Sequence, residues 1–436
     1  MTARWLYLLL LGVYLTIAGG HLYSSDEVTM FATAWQLAHG RGLALAASPE
    51  ERLTLSLCPG ADGRWYGQYP AGQPLLAVPL VWAGELAACA AAPQFRLYLV
   101  QLAVSLFNQL LTPLVGVTVF GFACALGAGA RRALLLALAV GLASPLLPYS
   151  KTFFSEPLLA LLVLAAARQL AARRWLAGGI LLAVAPLVKF AAVLFYPPLL
   201  VYAGMLAGRE RWRAWWRMLV PLAAAAAVGL ALNTARFGAP LASGYHHNPD
   251  FGFAAEPWVG LAGLTVSPGR GLLVYWPLAI IALAALPAFS REHRAEFWLV
   301  ATAGLTNLLF YGWWLTWAGE QSWGPRYLVP LVPLLALPLV AWRPRRWGGT
   351  ALLAGLSLLV QLAGVAIYHN AYYAAIWEQV PPAQRIMGPR YLHDVHFRPE
   401  LSPVLGHARL LADRAWPWAV AVGRGREPVA PSAELV

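Results

Sequence analysis

Apolar residues fill this chain in long runs, and polar residues are confined to the gaps between them. After a first run, Trp5 to Gly20, others cover residues 74–92, 97–126, 133–148, 152–170, 175–208, 218–232, 271–289, 297–314, 327–342 and 349–368. Most reach the roughly 18 residues that read as a transmembrane helix. The run 175–208 is too long for one span and contains Pro186, Pro197 and Pro198. It reads as a passage out and back. The count is about eleven crossings. The predicted fold class is therefore an all-α polytopic membrane protein. No small-x-small cleavage site follows Trp5–Gly20, so that run is expected to stay as the first span.

The gaps are unequal. Residues 21–73, 233–270 and 315–326 form the polar external loops of a membrane domain over 1–368, followed by a short external tail over 369–436. The first loop is long, and its segment Glu27 to His39 predicts an interfacial amphipathic helix. Val28, Phe31, Trp35 and Leu37 are available to lie on the membrane surface.

Charge orients this pattern. The net charge is +12. On a soluble chain that would suggest nucleic acid. Here the arginines sit in short loops between apolar runs, as the positive-inside rule requires, and no nucleic-acid partner is expected. Arg4 places the N-terminus in the cytoplasm. Arg131-Arg132 joins the same side only if one of the runs 74–92 and 97–126 crosses fully and the other is interfacial or re-entrant. Cys58, Cys89 and Cys124 form no disulfide or metal pattern.

The external side then holds the varied chemistry. Asp26 and Glu27 leave two readings open. One is an acidic pair at a helix N-terminus, capped by Ser24 or Ser25 and favoured by the dipole. The other is a general base for an acceptor hydroxyl or amine. Lys189, within APLVKFAAVL, is either functional or snorkelling near a helix end. Glu156 either pairs with Lys151, faces the same cavity, or merely starts a helix. Arg270 in SPGRG and Arg326 in EQSWGPRY are external cations, against the rule, and suit a phosphate whose tail lies in the bilayer. Tyr245, His246 and His247 stand in the second loop. Two adjacent histidines are too few to indicate a metal. Glu320 and Trp323 lie in the third loop, and Trp323 clusters with Trp313, Trp314 and Trp317 as a surface for stacking a sugar.

The Asp-Glu pair after the first helix, with QYPAGQPLLAVPLV, SPLLPYSKTFFSEPLLALL, RFGAPLASGY, SPGRGLLVYWP and WAGEQSWGPRYLVPLVP, resembles the GT-C superfamily of integral-membrane glycosyltransferases. The likeness is to the branch of protein O-mannosyltransferases and lipid A aminoarabinose transferases, and to a bacterial set grouped with them. It spans roughly residues 1 to 370 in topology, and motif by motif only in those pieces. The resemblance implies a GT-C-like fold in the bacterial inner membrane with the site facing outward. It implies an inverting transfer of a sugar from a polyprenyl-phosphate donor to a glycan, lipid or protein acceptor. It maps the base onto Asp26, beside Glu27, and places an acid at Glu156. Lys189, Arg270 and Arg326 are the phosphate candidates by position. Tyr245, His246, Glu320 and Trp323 join them as substrate-binding candidates. No cofactor is indicated; a divalent cation beside the phosphate would have only Asp26 and Glu27 as ligands. The chain lacks the large lumenal domain of the mannosyltransferases. Two alternatives differ in what they require. A transporter or flippase of a lipid-linked or anionic solute predicts charges deep in the spans and repeat symmetry, neither of which is evident beyond Lys189. An O-antigen polymerase or ligase lacks an acidic pair after the first helix.

Overall fold

The computed structural model describes residues 3–247, 252–253, 256–319, 322–369, 372–373, 376 and 395–412. The apolar runs are largely helical, and some continue through an internal proline, as at Pro79, Pro113 and Pro221. α1 (Ala3–Thr16) is followed by α2 (Ser25–Ala38), which covers nearly all of the predicted interfacial helix but does not lie open to a membrane surface, because Val28 and Phe31 are buried in the protein. Ser24 caps α2 from an extended backbone and accepts the Glu27 N–H, which places Asp26 and Glu27 in the first turn. The rest of the first loop corrects the all-α expectation. Strands β1 (Ala44–Leu45), β2 (Leu57–Pro59) and β3 (Trp65–Gly67) form an antiparallel sheet in the order β1-β3-β2, and α3 (Pro49–Thr54) lies between β1 and β2.

Next come α4 (Gly72–Ala88), α5 (Pro93–Ser105), α6 (Phe107–Ala125), α7 (Ala130–Leu142), the single turn α8 (Leu146–Tyr149) and α9 (Glu156–Ala171). The long run 175–208 resolves into α10 (Trp175–Val188), a 3-10 segment Phe190–Phe195, and α11 (Tyr196–Ala207). Between them Lys189 is extended, at φ −151° and ψ 122°. α12 (Arg211–Phe237) reaches into the predicted second loop, and α13 (Pro257–Val266) stands inside it. α14 (Leu272–Tyr275), α15 (Ala279–Glu292) and α16 (Arg294–Trp313) follow. The run 327–342 is not one regular span. It is 3-10 over Arg326–Leu331, α-helical over α17 (Val332–Leu335) and 3-10 again over Leu337–Ala341. Pro330, Pro333 and Pro338 each remove a backbone donor, which prevents a continuous ladder. α18 (Gly348–Ala366) and α19 (Pro403–Ala412) complete the described elements.

These elements form two compact units. Among the described residues, unit one comprises those within 3–10, 115–149 and 252–412, and unit two those within 11–114 and 150–247. In unit one, α13 packs on α16, and α15 on α16 and the 3-10 turn Leu337–Ala341. α18 shows the solvent against which this unit folded. Its buried positions are Ser357, Gln361 and Gly364, while Leu352 and Leu359 are each 62% exposed. Polar positions face inward and leucines outward, the arrangement expected in lipid. Ser357 Oγ accepts the Leu278 N–H at 2.8 Å, and Gln361 donates to the Tyr275 carbonyl.

In unit two, α10 packs on α9 and α12, α11 on α12, and α4 on α5 and α2. The start of α4 meets the end of α10 closely: a Cβ on Gly72 would stand 2.3 Å from the Leu187 carbonyl oxygen, so only glycine fits. Among the described residues, the helical stretches Pro93–Ala125, Phe190–Phe237 and Gly348–Ala366 are long and apolar enough to cross a membrane. The second includes a left-handed turn at Gly208 (φ +58°), where the chain passes from α11 to α12.

Candidate active site

Asp26 and Glu27 are adjacent, both buried, and differently bound. Glu27 is fully enclosed. One of its carboxylate oxygens accepts the Tyr23 N–H at 2.6 Å and the Ser24 hydroxyl at 3.3 Å. The other accepts the Phe153 N–H. Burial pushes the Glu27 carboxyl up to about 7, although these donors pull the other way. Asp26 meets side chains instead: the Ser56 hydroxyl donates to Oδ1 at 3.0 Å, and the Tyr69 hydroxyl donates to the same oxygen. Gln68 Nε2 donates to the Tyr69 oxygen at 2.6 Å. Arg236, at the end of α12, holds this strand by its backbone, with Nη1 reaching the carbonyls of Gly67 (3.4 Å) and Tyr69 (3.2 Å).

The Phe153 contact belongs to a clamp on the irregular segment between α8 and α9. Gln73 Nε2 donates to the Phe153 carbonyl at 2.5 Å. Asn108 Nδ2 donates to the carbonyls of Thr152 and Phe154, both at 2.7 Å. Side chains from α2, α4 and α6 thus satisfy a backbone that has no ladder of its own. The clamp presents Lys151 at one end, its Nζ 5.2 Å from the Tyr23 ring centre. Burial lowers the Lys151 ammonium to about 8, opposed by the nearby Glu27.

At the other end stands Glu156, the first residue of α9. It pairs with Lys189 at 2.5 Å; the two side chains are 0% and 12% exposed. A ring path links the pair to the Asp26 cluster: Phe190, next to Lys189, meets Tyr245 edge-on at 6.0 Å, and Tyr245 meets Tyr69 at 6.2 Å. Unit two therefore brings together Asp26, Tyr69, Tyr245, Lys189 and Glu156. His246 is exposed, and its Nδ1 is occupied by Ser243 of its own turn, which donates its N–H at 3.2 Å.

The remaining candidates lie in unit one. Arg270 is fully buried, and its Nη1 donates to the carbonyls of Ser322 and Gly324. Its guanidinium lies 5.0 Å from the Tyr373 ring centre. The arginine expected to face an anion thus spends this nitrogen on a loop. Trp323, expected to stack a sugar, is also buried, with Tyr275 edge-on at 5.1 Å and His407 at 4.6 Å. Arg326 is half-buried at the head of its 3-10 turn. Glu320 lies outside the described residues. The tail packs on this unit, with the Gly269 N–H donating to the His396 carbonyl at 2.9 Å. No group of three His, Cys, Asp or Glu residues suited to a metal occurs among the described residues.

Ser56, Tyr69, Gln73 and Asn108 escaped the sequence reading. Only Gln73 and Asn108 carried a signal, as single amides at the edge of or within apolar runs.

The chain matches no protein-family model and no curated protein. Solved structures match it in fold, among them two of ArnT. ArnT from Cupriavidus metallidurans bound to undecaprenyl phosphate aligns at 17% identity over 96% of this chain and 73% of that one, with a TM-score of 0.50. The apo state of ArnT from the same organism aligns at 16% identity over 97% and 81%, with a TM-score of 0.54. At these identities the likeness speaks for the fold alone: the chain is mostly helical and shares the architecture of ArnT. ArnT, a lipid A aminoarabinose transferase, is its structural neighbour.

Proposed function

We propose that the protein is a glycosyltransferase that moves a sugar from a polyprenyl-phosphate donor to an acceptor at the outer face of the membrane. The observation that carries this reading is Asp26. Its carboxylate sits at the first turn of α2, where the hydroxyls of Ser56 and Tyr69 donate to it. The neighbour's complex with undecaprenyl phosphate supports the donor class.

In this mechanism the acceptor oxygen or nitrogen attacks the anomeric carbon as its proton passes to Asp26. The bond between that carbon and the phosphate oxygen breaks, and its electron pair leaves with the polyprenyl phosphate. Attack opposite the leaving group inverts the centre. A fixed cation stabilises the growing charge without reorganisation, a role assigned here first to Lys189. Arg270 acts within its own unit, by holding the loop that precedes Arg326. Glu27 positions the segment 150–156 and does not transfer the proton.

The test is transfer of labelled sugar from synthetic polyprenyl-phosphate sugars in proteoliposomes. Asp26→Asn should lose about 10²-fold or more of the rate while inserting normally. Wild-type rates in that variant would remove Asp26 from the role. If no donor is consumed but labelled lipid crosses the bilayer, the protein is a transporter.

A further inference from the structure

At the end of α11 opposite Lys189, the segment RERWRAWWR reads at first as topology alone, because a loop on one side of a membrane collects arginine. The structure adds a shape. A groove of about 730 Å³ runs between α11 and α12, lined by Val201, Gly204, Met205, Arg209, Arg211 and Trp212, with Gly208 and Trp215 completing it. Val201 and Met205 lie one turn apart on α11 and face outward. Gly204 has no side chain to fill the cleft, and a Cβ there would meet the Trp215 ring at 3.0 Å. Trp215 is fixed in turn by its indole N–H, which donates to the Leu200 carbonyl at 2.8 Å.

The two ends of the groove differ in chemistry. Val201 and Met205 offer an apolar channel at bilayer depth. Arg209 and Arg211 stand at its mouth, both exposed, and the one acid of the turn, Glu210, does not line it. Trp212 and Trp216 are 70% and 69% exposed, as suits indoles at headgroup level. Positive charge would suffice for topology. An apolar channel leading to two guanidiniums matches a molecule with an acyl chain and a phosphate diester.

We infer that the α11–α12 groove is a binding site for an anionic glycerophospholipid, with an acyl chain along Val201 and Met205 and the headgroup phosphate between Arg209 and Arg211. The site is independent of the Asp26 chemistry and requires only that α11 and α12 lie in the bilayer.

Native mass spectrometry of the detergent-purified full chain tests it, titrating phosphatidylglycerol, phosphatidylcholine and glycerol phosphate separately. Phosphatidylglycerol should bind in preference to phosphatidylcholine, and R209E/R211E should weaken it about thirtyfold. R345E, in another basic loop, should leave binding unchanged. V201W, which fills the channel with every charge in place, should also abolish binding, so the result does not depend on reversed charges inserting correctly. Equal binding of the two lipids would overturn the proposal, as would glycerol phosphate binding as tightly as the lipid. Full retention in R209E/R211E or V201W would overturn it too.

Discussion

A buried ionisable side chain holds an irregular segment in each unit. In unit two, Glu27 collects the N–H groups of Tyr23 and Phe153. In unit one, Arg270 donates to the carbonyls of Ser322 and Gly324. Both take the place of a backbone ladder that an irregular segment cannot form for itself. The region around Asp26 and the Glu156–Lys189 pair is built differently, because there charge meets hydroxyl or opposite charge. Backbone partners cannot take up or release a proton near neutral pH and do not move away when a substrate arrives. Side-chain partners can do both. Adjacent carboxylates can thus be sorted into scaffold and reagent by what they touch.

Five substitutions would break or sharpen that division. The largest effect is expected at the buried ion pair. Lys189→Met should destabilise the protein by about 3–5 kcal/mol, because Glu156 is left charged and enclosed. Adding Glu156→Leu should restore most of the melting temperature without restoring transfer. Recovery of transfer would show that the pair is structural alone.

Next is Glu27. Its carboxyl titrates near 7 in the folded protein, against an ordinary 4.5, so between these values the folded state binds the extra proton. Its contribution to stability is therefore present below about pH 4.5 and is lost as pH rises through 7. Relative to Glu27→Gln, wild type should lose roughly 3 kcal/mol between pH 5 and 8 in thermal melts. The comparison must be a difference, because burial lowers the His21 and His396 imidazoles and these act in the opposite sense. Lys151, lowered to about 8, adds stability only as pH climbs above that value. A parallel pair of melting curves would mean that the Phe153 tether does not depend on Glu27.

Arg270→Met should cost about 2–3 kcal/mol through the lost carbonyl contacts. If that variant melts like wild type yet binds donor poorly, Arg270 belongs with the reagents. Tyr69→Phe is the mildest. It removes one donor to Asp26 and should slow transfer about tenfold, with a small change in melting temperature.

Local signals carried far in the sequence. Ser24 and Ser25, ahead of the acidic pair, were the cap candidates at the start of α2, and the length and prolines of the run 175–208 announced a break within it. The small sheet was invisible, because strands of two and three residues show no alternation. The Glu156–Lys189 pair joins residues 33 positions apart, which no periodicity reports. Arg270 looked exposed because an external arginine before a span ordinarily is; its enclosure comes from the tail and the 322–324 loop, which sequence does not bring to it. Tyr69, within a Tyr- and Pro-rich stretch, looked like a residue of the interfacial aromatic belt.

The clamp on residues 150–156 also has a direction in time. Glu27, Gln73 and Asn108 all precede the segment they hold. When this segment leaves the ribosome, each of these three holders has already been synthesised, so the irregular stretch never waits for them to be made. Lys189 comes later, and it seats against a Glu156 whose backbone is already moored.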